Sequence, residues 1–183
     1  MRHPFQAIPA SHERRVFIGL TGMTLVMMVL MNAVGAPLKN EAAPSGIISY
    51  ELAGSMQNAQ AIIASWDEPA RLHAAFSLGL DFLFLVVYSS AISLGCLLAG
   101  KALNRRKWPL VALGVLLAWG LWLAAFADAV ENIALTLILF GNPAEWLAPL
   151  ALWSAIIKFA LIFVGLVYAL LGLVVSLVVK PAR

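Results

Sequence analysis

The sequence predicts an all-α membrane protein: a four-transmembrane-helix bundle with an additional amphipathic helix in the first outward loop. Three observations carry that prediction. Hydrophobic residues make up 62% of the chain and charged residues 11%, with a mean hydropathy of +0.92, whereas about a quarter of the residues of a soluble domain are charged. Four stretches, about 16–36, 74–100, 108–140 and 149–179, are apolar over the roughly 20 residues that a hydrocarbon core about 30 Å thick demands of a helix. The basic residues, finally, gather between these stretches in an alternating way. The runs are continuously apolar rather than alternating residue by residue, which excludes a membrane barrel.

Taken in order, the first span is preceded by Arg2, Arg14 and Arg15 and ends in Ala33-Val34-Gly35-Ala36. A basic start and a small-residue end also resemble a cleavable secretory signal, but the apolar run is longer than a signal core, so it is read as a retained span. In the loop that follows, Pro44-Ser45-Gly46 is a helix-start signal. Beyond it Ile48, Leu52, Met56, Ala59, Ile63 and Trp66 recur at helical spacing, with Glu51, Ser55, Asn58 and Ser65 on another face. This pattern predicts one amphipathic helix over about 46–66, resting on the outer membrane surface or folded as a lid over the bundle mouth.

The second span carries Ala91, Gly95 and Ala99, and the fourth Gly165, Ala169 and Gly172, small-residue stripes suited to close helix contact in lipid. The single Cys96 allows neither a disulfide framework nor a thiol metal site and is read as a packing residue. Between the second and third spans lie Lys101, Arg105, Arg106 and Lys107, and after the fourth Lys180 and Arg183. The opposite side holds Lys39 and Arg71 against Glu41, Glu51, Asp67, Glu68 and Glu145. The positive-inside rule therefore places both termini in the cytoplasm, and it accounts for the net charge of +3 without a nucleic-acid partner. Trp108, Trp146 and Trp153 sit at expected interfaces as depth anchors. With short loops and no linker or repeat, residues 1–183 are expected to form a single integral membrane domain.

Within the spans stand Asp81, Asp128, Glu131 and Lys158. Each ionisable group at a helix centre costs about 2.5 to 3.5 kcal/mol on insertion scales, so such a set marks a site. Asp128, Glu131 and Asn132 are related by three and four residues and share one helix face. At about 1.5 Å of rise per residue they fall in the outward half of the membrane. Asp81 shares a face with Ser77 and Tyr88 at comparable depth; Asn32 near the outer end of the first span and Lys158, in a stripe with Ser154, Gly165 and Tyr168, reach the same level. Three carboxylates and one ammonium leave excess negative charge, to be neutralised by protons, a bound cation or a cationic ligand. Lys158 is expected to pair with Asp128 or Glu131, and such a pair alone would also serve to fix helix register. Carboxylates and amides suit hard cations, whereas zinc or copper would want histidine or thiolate; no metal site and no cofactor are expected. His73, at the outer end of the second span, is read as interfacial.

The run Ile48-Ser49-Tyr50-Glu51-Leu52-Ala53-Gly54, Trp66, Leu80-Asp81-Phe82-Leu83-Phe84-Leu85 with Tyr88, and Asp128 to Asn132 resemble a group of bacterial four-span inner-membrane proteins to which no activity is assigned. The resemblance implies a bacterial inner-membrane location and adds Glu51 to the candidate site. A more distant analogy is the sterol isomerase and sigma-2 receptor superfamily, small helical membrane bundles that use intramembrane acids to bind cationic amphiphiles. Here no histidine lies within a span.

These readings converge on an outward-half acidic pocket that binds a lipid-like or cationic small ligand. Asp81 and Glu131 would contact the ligand, Asp128 and Lys158 would pair, Asn32 and Asn132 would donate hydrogen bonds, and the Glu51 helix would cap the pocket. Partners expected are membrane lipids, that ligand and a possible membrane-protein subunit. The alternatives are an intramembrane lipid isomerase or hydrolase with Asp128 or Glu131 as proton donor, for which no nucleophile motif exists; proton or cation permeation by way of Thr21, Ser93 and Tyr168; and an accessory subunit of a membrane complex.

Overall fold

A computed structural model describes residues 3–178; Arg2, Lys180 and Arg183, counted above among the basic flanks, and Val179 of the fourth expected span lie outside the described residues. The helices are α1 (Ala10–Gly35), α2 (Ile47–Glu51), α3 (Met56–Ser65), α4 (Glu68–Arg105), α5 (Leu113–Leu139) and α6 (Leu147–Val178), with 3₁₀ turns at Pro4–Ala7 and Ala36–Leu38 and no strand among the described residues. Four of them, α1 with its 3₁₀ extension to Leu38, α4, α5 and α6, are long and apolar enough to cross a membrane.

Of the boundaries that differ from expectation, two have clear local reasons. Six residues before the apolar run, α4 already begins, because Asp67 caps it, its Oδ1 accepting the Ala70 N–H at 2.9 Å. The third span loses its first residues: Trp108 to Ala112 belong to a non-helical connection, beginning at Arg106, in which Lys107 and Leu110 take positive φ, 55° and 72°. Pro109 has no N–H to give a helix and restricts the residue before it.

The single amphipathic helix expected over 46–66 is two helices, α2 and α3. Gly54 breaks the run with φ +71°, and a Cβ there would stand 3.2 Å from Leu152 Cδ2. Ser55 then caps α3, its hydroxyl accepting the Asn58 N–H at 3.2 Å. The break rotates the faces. Tyr50, Glu51, Met56, Ala59, Ile62 and Trp66 are buried, whereas Ile48 and Leu52, placed on the apolar stripe by periodicity, are 44% and 45% exposed.

The described residues group into two compact units. Unit one comprises residues 3–24, 87–125 and 158–178; unit two comprises 25–86 and 126–157.

In unit one the core is Cys96, Ala99, Leu103, Leu121, Tyr168 and Val175. Small residues allow its helices to approach: a Cβ on Gly114 would lie 2.8 Å from the Cys96 carbonyl oxygen, one on Gly165 2.6 Å from Leu121 Cδ2, and one on Gly172 would overlap Ala99. Polar side chains there are tied to main chain. Ser93 Oγ donates to the Ala118 carbonyl and Tyr168 Oη to the Leu110 carbonyl, each at 2.9 Å.

Unit two is built around Leu38, Tyr50, Trp66, Leu78, Leu135, Ile138 and Leu147. Its two buried aromatics meet edge to face, ring centroids 5.5 Å apart. Each finds a carbonyl for its polar end, as a buried Tyr or Trp must: Trp66 Nε1 donates to Leu38 at 2.9 Å and Tyr50 Oη to Leu135 at 2.8 Å. Asn40 Nδ2 donates to the Ser65 carbonyl at 3.2 Å and Arg71 Nε to the Trp66 carbonyl at 3.1 Å, so the chain between α1 and α4 is pinned along its length.

Candidate functional site

The candidate acids lie in unit two. In that part of α5 the residues 127, 128, 131, 132, 134, 135 and 138 are buried while Phe126, Ile133 and Leu137 are exposed, so the turn Asp128–Asn132 points its polar side chains inward. Asp128 is 1% exposed, Glu131 0% and Asn132 1%. From α4 come Asp81, 8% exposed, and Ser77, one turn earlier on the same face and 1% exposed. Asn132 Nδ2 donates to Asp81 Oδ2 at 2.7 Å, a charge-assisted bond that joins α5 to α4 and fixes the carboxylate's orientation. Ser77 Oγ has no hydrogen-bond partner among the described residues.

Glu51 is buried at the end of α2, 8% exposed. Its neighbour Tyr50 holds α2 to α5 through the Leu135 carbonyl, one turn beyond Glu131. Periodicity had set Glu51 on a polar face; the break at Gly54 turns it inward. Burial raises the Tyr50 hydroxyl above its ordinary titration range, which keeps that donor protonated.

The other two expected site residues come from α1 and α6. Asn32 is exposed on α1. Lys158 belongs to unit one, where it is 4% exposed with Nζ 4.7 Å from the Phe159 ring centroid. His73 is half-buried and its Nδ1 lies 3.0 Å from the Val34 carbonyl oxygen, a tether from α4 to the end of α1.

Charge is divided between the units. Among described residues unit two holds Glu41, Glu51, Asp67, Glu68, Asp81, Asp128, Glu131 and Glu145 against Lys39 and Arg71. Unit one holds Glu13 alone against Arg14, Arg15, Lys101, Arg105, Arg106, Lys107 and Lys158. Among the described residues no group of three His, Cys, Asp or Glu side chains is placed to hold a metal ion. An open depression of about 300 Å³ near Ser49, Leu52, Asn58 and Ile62 has no ionisable side chain in its lining, so it is separate from the acids.

Unit one contains a buried environment that sequence reading passed over. His3 is 1% exposed, its ring meeting Phe5, Trp119 and Trp122 edge to face at centroid distances of 5.1, 5.0 and 4.8 Å. Its Nδ1 accepts the Phe5 N–H at 3.2 Å and its own N–H donates to Gln6 Oε1 at 2.9 Å, a reciprocal cap on the 3₁₀ turn. Burial lowers its pKa below 6.5, opposed in lesser part by the Ala118 carbonyl. The Trp-x-x-Trp spacing at Trp119 and Trp122 was the available signal, and it names a shared helix face but not its occupant.

Compared with protein families, characterised proteins and solved structures, the chain matches none of them.

Proposed function

We propose that this chain is a multi-pass protein of a bacterial inner membrane whose buried acidic cluster binds a lipid-like or cationic small ligand. The observation that carries the reading is the burial of three span carboxylates, Asp81, Asp128 and Glu131, to 8%, 1% and 0% exposure in a unit with eight acids and two bases among its described residues. Ionisable groups set within apolar spans mark a functional site, and a unit of this sign concentrates cations rather than anions. Asp81, oriented by Asn132, and Glu131 receive the cationic head; Asp128 adds to the field, and Glu51 extends it to the end of α2. The apolar residues around the cluster suit an alkyl tail.

The other readings have less support. No nucleophile motif in the sequence supports lipid hydrolysis through a covalent intermediate. Permeation would use Ser93 and Tyr168, whose hydroxyls are already committed to main-chain carbonyls.

Titration of the detergent-solubilised protein with tetradecylamine and with tetradecanol, which has the same tail and no charge, tests the proposal. The amine is expected to raise the melting temperature saturably and the alcohol to leave it unchanged. Asp81→Asn and Glu131→Gln should each weaken the amine response about tenfold, a difference of about 1.4 kcal/mol. An equal response to the alcohol, or amine binding unaltered in both variants, overturns the reading.

A further inference from the structure

Unit one carries a surface that the acidic cluster does not use. Glu13, its only acid among the described residues, is buried and paired with Lys101. That pair ties the first turns of α1 to the end of α4, so Arg14 and Arg15, which follow Glu13, stand on a segment joined to the one carrying Arg105 and Lys107. All four of these side chains are exposed, and no other described acid in the unit compensates them.

Membrane orientation explains why bases occur here but not how the loop that bears them is held. Lys107 and Leu110 take φ of 55° and 72°, a conformation unfavourable to any residue with a Cβ and least suited to a bulky one. The loop is pinned in it: the Trp108 N–H donates to the Leu103 carbonyl at 3.1 Å and Tyr168 Oη to the Leu110 carbonyl at 2.9 Å. Arg106 is spent internally, its Nη2 donating to the Ser176 carbonyl at 2.7 Å and its Nη1 to Ala102 at 3.3 Å. What stays outside is Lys107 with Trp108, 41% exposed, and Leu110, 51% exposed. Strained backbone that its surroundings hold in place is a recurrent property of binding loops.

We propose that this face is a binding site for the phosphate headgroups of anionic phospholipids. The bases meet phosphate, the indole sits at the headgroup boundary, and Leu110 enters the acyl region. A nucleic acid would supply phosphates too, but it would leave Leu110 in water, and the same unit contributes to helices long enough to cross a membrane. The inference rests on the membrane reading above and not on the acidic cluster.

The test reconstitutes the full chain into nanodiscs holding phosphatidylglycerol and phosphatidylcholine in equal amounts, extracts it in mild detergent and weighs the retained lipid by native mass spectrometry. Phosphatidylglycerol is expected to be retained about tenfold over phosphatidylcholine, with the preference falling as salt rises. The combined Arg15→Gln, Arg105→Gln and Lys107→Gln variant should lose it, Lys39→Gln should keep it, and tetradecylamine binding should be unchanged in the triple variant, so this proposal and that of the acidic cluster fail separately. Equal retention of the two lipids, a preference indifferent to salt in the unaltered protein, or one that survives the triple substitution overturns the proposal. Loss of the preference to millimolar inorganic phosphate would show a free-anion site instead, and displacement of the lipid by a short RNA a nucleic-acid site; either result overturns it as well.

Discussion

The bond from Asn132 to Asp81 shows what one side chain contributes here. Both residues are buried, so an amide removed from one helix deprives a carboxylate on the other of a donor that water does not replace. Asn132→Ala is expected to lower stability by about 1.5 to 3 kcal/mol, the range for hydrogen bonds to charged groups, measured by thermal unfolding in detergent. In the Asn132→Ala background, Asp81→Asn should cost less than it does alone; strict additivity would show that the two do not act on one another. His3 makes a prediction of a different kind. Its Nδ1 is an acceptor in the turn cap, so the proton of an imidazolium has no place there. Trp119 and Trp122 of α5 pack on its ring, and α5 carries no ionisable residue from Leu113 to Ala127. Because the buried ring takes up a proton less readily than the unfolded chain, docking of the N-terminal turn is unaffected well above pH 6.5 and weakens as pH falls through it. Tryptophan emission should report this change, and His3→Phe should abolish it; an unaltered pH profile in that variant would show that His3 is not the titrating group.

At the scale of the element, the segment between α1 and α4 shows where periodicity misleads. Apolar spacing of three and four residues runs unbroken from Ile48 to Trp66, and a rule that reads faces from spacing assumes one axis throughout. Gly54 supplies two axes instead, and with them the buried Glu51 and the exposed Leu52. Gly54→Ala places a Cβ in a left-handed conformation and 3.2 Å from Leu152. The expected loss is about 1 to 2 kcal/mol from backbone strain alone, seen as a lowered melting temperature and faster proteolysis between α2 and α3. A fully stable Gly54→Ala protein would mean that the break does not govern the fold of this segment. The turn Asp128–Asn132 is the opposite case. Its faces were readable because polar residues inside an otherwise apolar helix stand out, and α5 continues straight through them. For α1 the same approach had nothing to work on: its own apolar residues lie on every face, only 6% of its membrane-length window is buried, and Asn32 is exposed.

At the scale of the whole molecule, composition and length were enough for four helices able to cross a membrane, since burial of backbone polar groups in lipid leaves few alternatives. What they did not contain was the pairing of Asp81 with Asn132 from a neighbouring helix, because it depends on tertiary packing. The charge division has a consequence for orientation. Basic residues resist translocation while acids contribute little, so Arg14, Arg15 and the Lys101–Lys107 segment should stay cytoplasmic and the segment from Lys39 to Asp67 should be exported. Cys96 is fully buried, so a single cysteine introduced elsewhere reports its own position. Ala42 and Asn104 are exposed sites on the two oppositely charged segments. In intact cells a membrane-impermeant maleimide is expected to label Ala42→Cys at once and Asn104→Cys only after permeabilisation. The reverse pattern would invert the topology, move the acidic cluster to the cytoplasmic half and send the Lys107 loop to the outer leaflet; labelling of both sites in intact cells would remove the membrane-spanning reading of α4 altogether.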